Sequence, residues 1–419
     1  MSLTNSLCET NNIETINNKR MVNRFFGGGQ DVAEDPIFKL LMQFRNDTNP
    51  QKMDLGIGVY RNDNGQSPIF NSVKAAEAVR LEEENDKSYI GPAGDFAYRQ
   101  LIETLVYGNP LAEQLSNRLA GVQTPGGVAA LRIGFELVAR VNPQATVWLS
   151  DPTWQVHWPI VGATGLNTNT YRYYDKTNHQ VDFEGLVEDL SQAKAGDVIL
   201  LQGCCHNPTG CNLSLAQWQR LADLCLAQGL LPMVDLAYHG LGDELDRDAA
   251  GLRLMAQQLP ELLLTYTCSK NFGLYRDRVG LISVLTDNNK QGLLVQKQLV
   301  QIATEHYFTP PAHGSDIVKT ILNDNALRAN WESELAAVRS RLSSVRAQIC
   351  EAVVTIGRDW SYLTRQTGMF SLLDLTPTEL AVLREQHSIY IVDSGRINVA
   401  GINAGNIETF VNGVASLTI

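Results

Sequence analysis

Residues 261–280 read ELLLTYTCSKNFGLYRDRVG. An apolar, β-rich run closes on Tyr266. Thr267, Cys268 and Ser269 follow, then a single lysine, Lys270, and beyond it two arginines, Arg276 and Arg278. Lysine is costly to bury, so one at the end of a core strand ordinarily reaches out to solvent. The flanking hydroxyls and guanidinium groups raise a second reading. It depends on what else the fold brings to the same end of that strand.

Outward from this stretch, short apolar runs recur between about residues 70 and 330: ATVWLS (145–150), DVILLQ (197–202), LLPMVD (230–235), ELLLTYT (261–267) and VGLISVL (279–285). Each is apolar on both faces. Between them lie helical patterns such as SLAQWQRLADLCLAQG (214–229), with Leu215, Trp218, Leu221, Ala222 and Cys225 on one stripe. Helices alternating with doubly buried strands imply an α/β fold with a mostly parallel, wound sheet flanked by helices. Leu335, Val338, Leu342, Val345, Ile349 and Val353 then recur every three or four residues, which predicts a long amphipathic helix leading into a smaller α+β domain. The expected division is a tail over 1–30 with FFGGGQ as a loose joint, a small domain built from 31–67 and 336–419, and a large domain over 68–335.

In wound sheets, ligands sit beyond the carboxyl ends of the strands, and here those ends are polar. ATVWLS runs into Asp151, Pro152, Thr153 and Trp154. DVILLQ runs into GCCHNPTG, which carries Asn207. LLPMV runs into Asp235, with Tyr238 three residues on, and ELLLTY runs into Thr267, Ser269 and Lys270. Singly, Asp235 reads as a helix cap, Trp154 as core and Arg278 as a surface cation. Four such ends in one sheet would make a cavity lined by an aromatic ring, an amide, a carboxylate, a phenol and an amine.

A dinucleotide site does not fit, because FFGGGQDV and HGLGDEL lack the G-x-G-x-x-G spacing and its strand–helix context, and no P-loop is present. Pyridoxal 5'-phosphate fits. Its aldehyde needs a lysine amine, Lys270. Its ring nitrogen needs a buried carboxylate, Asp235. Its 3-oxygen needs donors, Tyr238 and Asn207, and its ring face an aromatic plate, Trp154. Its phosphate needs a helix N-terminus, hydroxyls and a guanidinium. TPGGVAALRIGFELVAR places two glycines at a helix start, and Thr267, Ser269 and Arg278 supply the rest.

Bulk properties agree. The 419 residues suffice for two domains with full cores. A net charge of −11 without a long basic run argues against nucleic acid and against an anionic membrane surface. No apolar stretch reaches the ~18–20 residues of a membrane span. The first twenty residues, MSLTNSLCETNNIETINNKR, lack an apolar signal core. The seven cysteines are odd in number and contain no C-x-x-C, the usage of a reducing cytoplasm. Cys205, His206 and Cys211 come nearest to a ligand set, but no metal site is expected.

From EDPIFKL at residue 34 to the C-terminus the chain resembles the class I, fold-type I aminotransferases of the aspartate/aromatic subgroup. LGIGVYR, QTPGG, CCHNPTG, DLAYHG, CSKNFGLY, RVG, PPAHG, GMFS and SGRINVAG occur in the family's order. The resemblance implies a seven-stranded sheet and a ping-pong exchange of an amino group between an amino acid and a 2-oxo acid. It implies a homodimer with shared active sites, and cis peptides at Asp151-Pro152 and Asn207-Pro208. It assigns proton transfer to Lys270. Gly127, Val128, Thr267, Ser269 and Arg278 fall to the phosphate, with Tyr89 arriving from the partner chain. Arg396, beside Gly58, Trp154 and Asn207, falls to the substrate α-carboxylate.

The chain departs from the family at the side-chain pocket, at the phosphate and behind the cofactor, and the first of these bears on specificity. Dicarboxylate-using members carry an arginine where QIATEHYFTPPAHG has Thr304. A substrate carboxylate buried without that cation loses about 3–5 kcal/mol, so neutral or aromatic side chains are expected to be favoured. Glu305 could turn inward toward a basic substrate, and His306 or Arg276 could restore a cation. Phe308 and Phe38 add apolar bulk near the entrance. Val128 replaces a hydroxyl residue at the phosphate, and Gln202 stands where the family often has a histidine that relays to the carboxylate through His157. Rival readings are a plain aspartate aminotransferase, a pyridoxal-phosphate lyase or decarboxylase, and a binding module without catalysis.

Overall fold

The computed structural model describes residues 36–417. The expected tail over 1–30, its FFGGGQ joint and Cys8 lie outside the described residues. The main sheet has seven strands: β1 (Leu119–Pro125), β2 (Thr146–Asp151), β3 (Asn167–Arg172), β4 (Val198–Gln202), β5 (Leu231–Leu236), β6 (Leu262–Thr267) and β7 (Val279–Leu285), in the spatial order β1-β7-β6-β5-β4-β2-β3. Only β7 runs antiparallel to its neighbours. The five apolar runs of the sequence are β2, β4, β5, β6 and β7, each within a residue of its expected bounds.

The sheet is buried on both faces, which is why those runs do not alternate. Val198 and Leu200 join one core with Val147, Leu149 and Met233, while Ile199 and Leu201 join the other with Trp148, Val234 and Leu236. Full burial of each such side chain contributes about 1.5–3 kcal/mol. The helix α1 (Gly127–Val141) follows β1 and α2 (Leu215–Gln228) follows β4. Ser214 and Gln217 form a capping box at the start of α2, and Gly229 closes it in the left-handed region at φ 67°. Trp218, Leu221, Ala222 and Cys225 form its buried stripe. Leu215, expected on that stripe, is instead exposed at the first position of α2.

Beyond α3 (Asn289–Tyr307) and a further helix, His313–Asn323, lies α4 (Asn325–Val354), the long helix the periodicity predicts. Its Trp331, Leu335, Val338 and Leu342 pack into the core of the main sheet, and its Val345, Ile349 and Val353 into a separate core with Met53, Leu55, Leu373 and Ile397. That second core is bound by two small sheets. Met53–Asp54 pairs with Ile389–Tyr390, and Phe370–Leu372 pairs with Arg396–Asn398. Trp331 stacks on Phe272 at 4.4 Å and donates from Nε1 to the Asn271 carbonyl at 2.7 Å, tying α4 to the segment after Lys270. Asp151-Pro152 and Asn207-Pro208 are both cis. Among the described residues the cysteines are free, and no helix is long and apolar enough to cross a membrane.

Candidate active site

The strand register assembles the site. Gln202 at the end of β4 lies opposite Asp235 on β5, and Asp235 lies opposite Thr265 on β6. Residues in register share a face of the sheet, so an amide, a carboxylate and a hydroxyl form a row. The loops beyond these strands close a cavity lined by Gly127, Val128, Leu131, Trp154, Gln202, Asn207, Asp235, Ala237, Tyr238, Thr267, Ser269, Lys270 and Arg278. Ten of the residues expected from sequence thus meet in one place. A larger cavity, about 360 Å³, opens among Leu137, Val141, Leu226, Leu230 and Leu263, but its walls are mainly aliphatic.

Lys270 stands in the middle. Its Nζ lies 5.3 Å from the centroid of the Tyr238 ring. The residue opens partly to the cavity, yet protein surrounds its amine and burial lowers the pKa to about 8. Asp235 opposes that shift, and Arg278 adds to it. Asp235 is itself buried, accepts from Thr265 Oγ1 at 3.0 Å, and has His157 Nε2 at 3.5 Å from its Oδ2. His157 is fully buried and its Nδ1 meets Thr153 Oγ1 at 2.7 Å. Burial raises the Tyr238 phenol, so it remains a donor at neutral pH.

At the far end α1 begins on Gly127, which lines the cavity with Val128 alongside Thr267 and Ser269, whose hydroxyls lie 2.8 Å apart. Arg278 reaches Ser269 Oγ at 3.4 Å from Nη1. Gly126 is required: at φ 79° a Cβ would fall 2.4 Å from Arg278 Nη2. Opposite, Arg396 arrives from the small sheet and is buried. Its Nη2 donates to the Gly56 carbonyl at 2.5 Å and its Nη1 to Asn207 Oδ1 at 3.3 Å. Phe370 lies under the guanidinium at 4.4 Å, and a Cβ on Gly58 would come within 3.0 Å of that ring.

Two expected residues stand apart from the cavity in the single chain. Tyr89 is 80% exposed and meets Phe308 edge-to-face at 5.7 Å. Thr304, on the outer face of α3, donates to its own helix at Val300 O, 2.7 Å away. Phe38 is exposed. Glu305 does not turn inward; it pairs with Arg140 and Gln301. His306 pairs with Glu136 at 2.6 Å, and Arg276 is exposed. Sequence reading missed Thr265 and Phe370. Thr265 was detectable, since it sits two residues before Thr267 on the same strand face. Cys204, Cys205 and Asp248, rather than Cys205, His206 and Cys211, bring candidate ligand atoms together. Asp248, however, is occupied as a turn anchor, accepting from Gly240, Gly242 and Asp243.

A family profile described as Aminotransferase class I and II matches residues 50–414. The chain belongs to that family. It is 42% identical over 388 residues to an aromatic-amino-acid aminotransferase of Pseudomonas aeruginosa, covering 92% of this chain and 97% of that one. It is 40% identical over 385 residues to an aspartate aminotransferase of Escherichia coli, covering 91% and 97%. Its fold is similar to that of an aromatic-amino-acid aminotransferase from Burkholderia pseudomallei covalently bound to pyridoxal phosphate. That match has a TM-score of 0.91 and 36% identity, and covers 94% of this chain and 99% of that one. The aminotransferase is therefore an enzyme of pyridoxal-phosphate chemistry, and its cavity fits that cofactor on its own terms. The fully buried His157 Nε2 has no hydrogen-bond partner and lies 3.5 Å from Asp235 Oδ2, an orphaned polar atom beside the cavity's buried carboxylate. The glycine-opened helix leaves room for the Arg278 guanidinium at the phosphate end.

Proposed function

We propose that the enzyme moves an amino group between an L-amino acid with a neutral or aromatic side chain and a 2-oxo acid, in two half-reactions, as a homodimer of the cytoplasm. When bound, pyridoxal 5'-phosphate supplies the aldehyde that carries the amino group and the ring that takes up electron density from the substrate. The chain's own residues do the rest. Arg396, with Asn207, Trp154 and Gly58 beside it, grips the α-carboxylate; such charge-assisted bonds contribute about 1.5–3 kcal/mol each. Lys270 would take the proton from the substrate α-carbon and pass it to the cofactor's aldehyde carbon, and run the same transfer backwards in the second half-reaction; its lowered pKa leaves much of the amine neutral near pH 8. Asp235 holds a proton on the ring nitrogen. Tyr238 and Asn207 donate to the 3-oxygen, and Trp154 covers the ring. Gly127, Val128, Thr267, Ser269 and Arg278 hold the phosphate. Tyr89, exposed on its own chain, completes the partner's phosphate site, so an isolated monomer is inactive. We divide the described chain into the two domains expected from sequence, with their boundary at residues 335–336 inside α4.

The side-chain preference rests on Thr304. Its hydroxyl is spent on Val300 O, and the neighbouring cations are engaged with acids: Arg140 with Glu136 and Glu305, His306 with Glu136. Among the described residues, the cations beside Thr304 on that helix end are thus committed to acids. Steady-state rates with aspartate, glutamate, phenylalanine, tyrosine and arginine test this. Phenylalanine and tyrosine are expected to exceed aspartate in kcat/KM, and a dominant aspartate rate overturns the preference. Thr304→Arg is expected to raise kcat/KM for aspartate about 10–100-fold while changing phenylalanine little.

A further inference from the structure

We propose that Gln202 is a positioning residue for the substrate α-carboxylate, acting through Asn207, and not a part of the carboxylate relay at the ring nitrogen. Its place in the sheet would allow either role. It lies in register with Asp235 and lines the same cavity. Its carboxamide turns the other way. The Asn207 backbone N–H donates to Gln202 Oε1 at 2.8 Å, and Gln202 Nε2 donates to the Asn207 carbonyl at 2.9 Å. A flipped amide would set donor against donor, so this two-point pairing also fixes the orientation of the amide.

The clasp spans the turn 203–206 and pins the backbone of one residue, Asn207. That residue's side chain links the two halves of the site: Nδ2 donates to Tyr238 Oη at 3.4 Å, and Oδ1 accepts from Arg396 at 3.3 Å. The opposite side of the turn is anchored by His206, whose Nε2 meets Ser150 Oγ at 3.0 Å and whose Nδ1 meets Thr209 Oγ1 at 2.9 Å. Its ring stacks on Tyr173 at 3.8 Å. Gln202 is the only one of these anchors that faces the cavity, so it holds Asn207 from the reacting side. Asp235 meanwhile takes its contacts from Thr265 and His157. Neither end of Gln202 is engaged with it. A shift of an ångström at Asn207 would misalign the fork that Arg396 offers the substrate and so weaken the grip on its α-carboxylate.

This rests on the reading of Arg396 and Asn207 as the α-carboxylate site, and the test separates the two. In the cofactor-loaded enzyme, Gln202→Met keeps length and removes both hydrogen bonds, while Gln202→Glu keeps the acceptor for the Asn207 N–H and loses the donor. Gln202→Met is expected to raise KM for phenylalanine, and the dissociation constant of unreactive 3-phenylpropionate, about tenfold, with kcat falling less than about threefold. Gln202→Glu is expected to fall between it and the parent. The pH midpoint of the bound cofactor's visible absorbance is expected to stay within about 0.2 unit of the parent in Gln202→Met, since Asp235 keeps its partners. A midpoint moved by more than about half a unit with KM unchanged would assign Gln202 to Asp235 and overturn the proposal. So would a lowered unfolding temperature with both constants unchanged, which would make it packing only. If Arg396→Leu leaves 3-phenylpropionate binding intact, the carboxylate reading fails instead.

Discussion

Lys270→Ala is expected to lower the steady-state transamination rate by about 10²–10⁴-fold, with phenylalanine and with any other donor. The expectation follows from position. Among the residues lining the cavity, Lys270 alone carries an amine, and its pKa of about 8 makes it a base that is neither fully protonated nor too weak near neutral pH. The surrounding phenols are raised by burial and keep their protons, so Tyr238 cannot substitute. Single-turnover absorbance with saturating donor checks it, and a variant that retains more than a tenth of the parent rate would move the proton transfer to another group.

The same lysine predicts a pH-dependent stability in protein stripped of cofactor. Its folded pKa, about 8, lies below the ordinary lysine value of 10.5. Between those values the unfolded chain binds more protons than the folded one, so stability rises with pH across that window and is lost as pH falls toward 8. Below it the charged amine is a cost, on the order of 1–3 kcal/mol given its partial opening to the cavity. Urea unfolding of stripped Lys270→Met is therefore expected to show a more stable protein than the stripped parent at pH 7, with the gap closing above pH ~10. A gap that is absent at pH 7 would mean the amine is solvated in the fold.

What the sequence discloses and what it hides follow the same physics. β4, β5 and β6 are legible because strands buried on both faces must be apolar throughout, and their polar successors Asn207, Asp235 and Lys270 stand out against that background. β3 is not legible. It is an edge strand, NTNTYR, with only Tyr171 buried, and its pairing to β2 overrides a composition that reads as loop. β1 is masked because LAGVQTP runs straight into the glycines that open α1. Arg346 is fully buried on α4 among apolar positions, held by the carbonyls of Thr367 and Phe370 and by Ser371. Helical periodicity counts such a position as solvent-facing. The clasp of Gln202 on Asn207 is set by side-chain torsions within a turn, and no spacing rule reaches it. Resemblance supplied Arg396, which no strand-end argument would have found, because it arrives from the other core.

Arg396→Leu is expected to lower kcat/KM about a thousandfold, and by a similar factor for phenylalanine, tyrosine, aspartate and the 2-oxo acids alike. The uniformity is the point. On the proposed reading, the fork of Arg396 addresses the α-carboxylate, which every substrate carries, whereas Thr304 bears only on the side chain that differs. Arg396→Lys keeps the charge but not the planar pair of donors, and should lose about 30–100-fold. The leucine variant also leaves the Gly56 carbonyl and Asn207 Oδ1 without this donor, which costs about 1–3 kcal/mol of stability. Thermal unfolding beside the kinetics separates that cost from lost recognition, because destabilised but folded protein lowers the amount of active enzyme without changing KM. A loss that differs more than about tenfold between phenylalanine and aspartate would place Arg396 at the substrate side chain instead, and Thr304 would then no longer explain the preference.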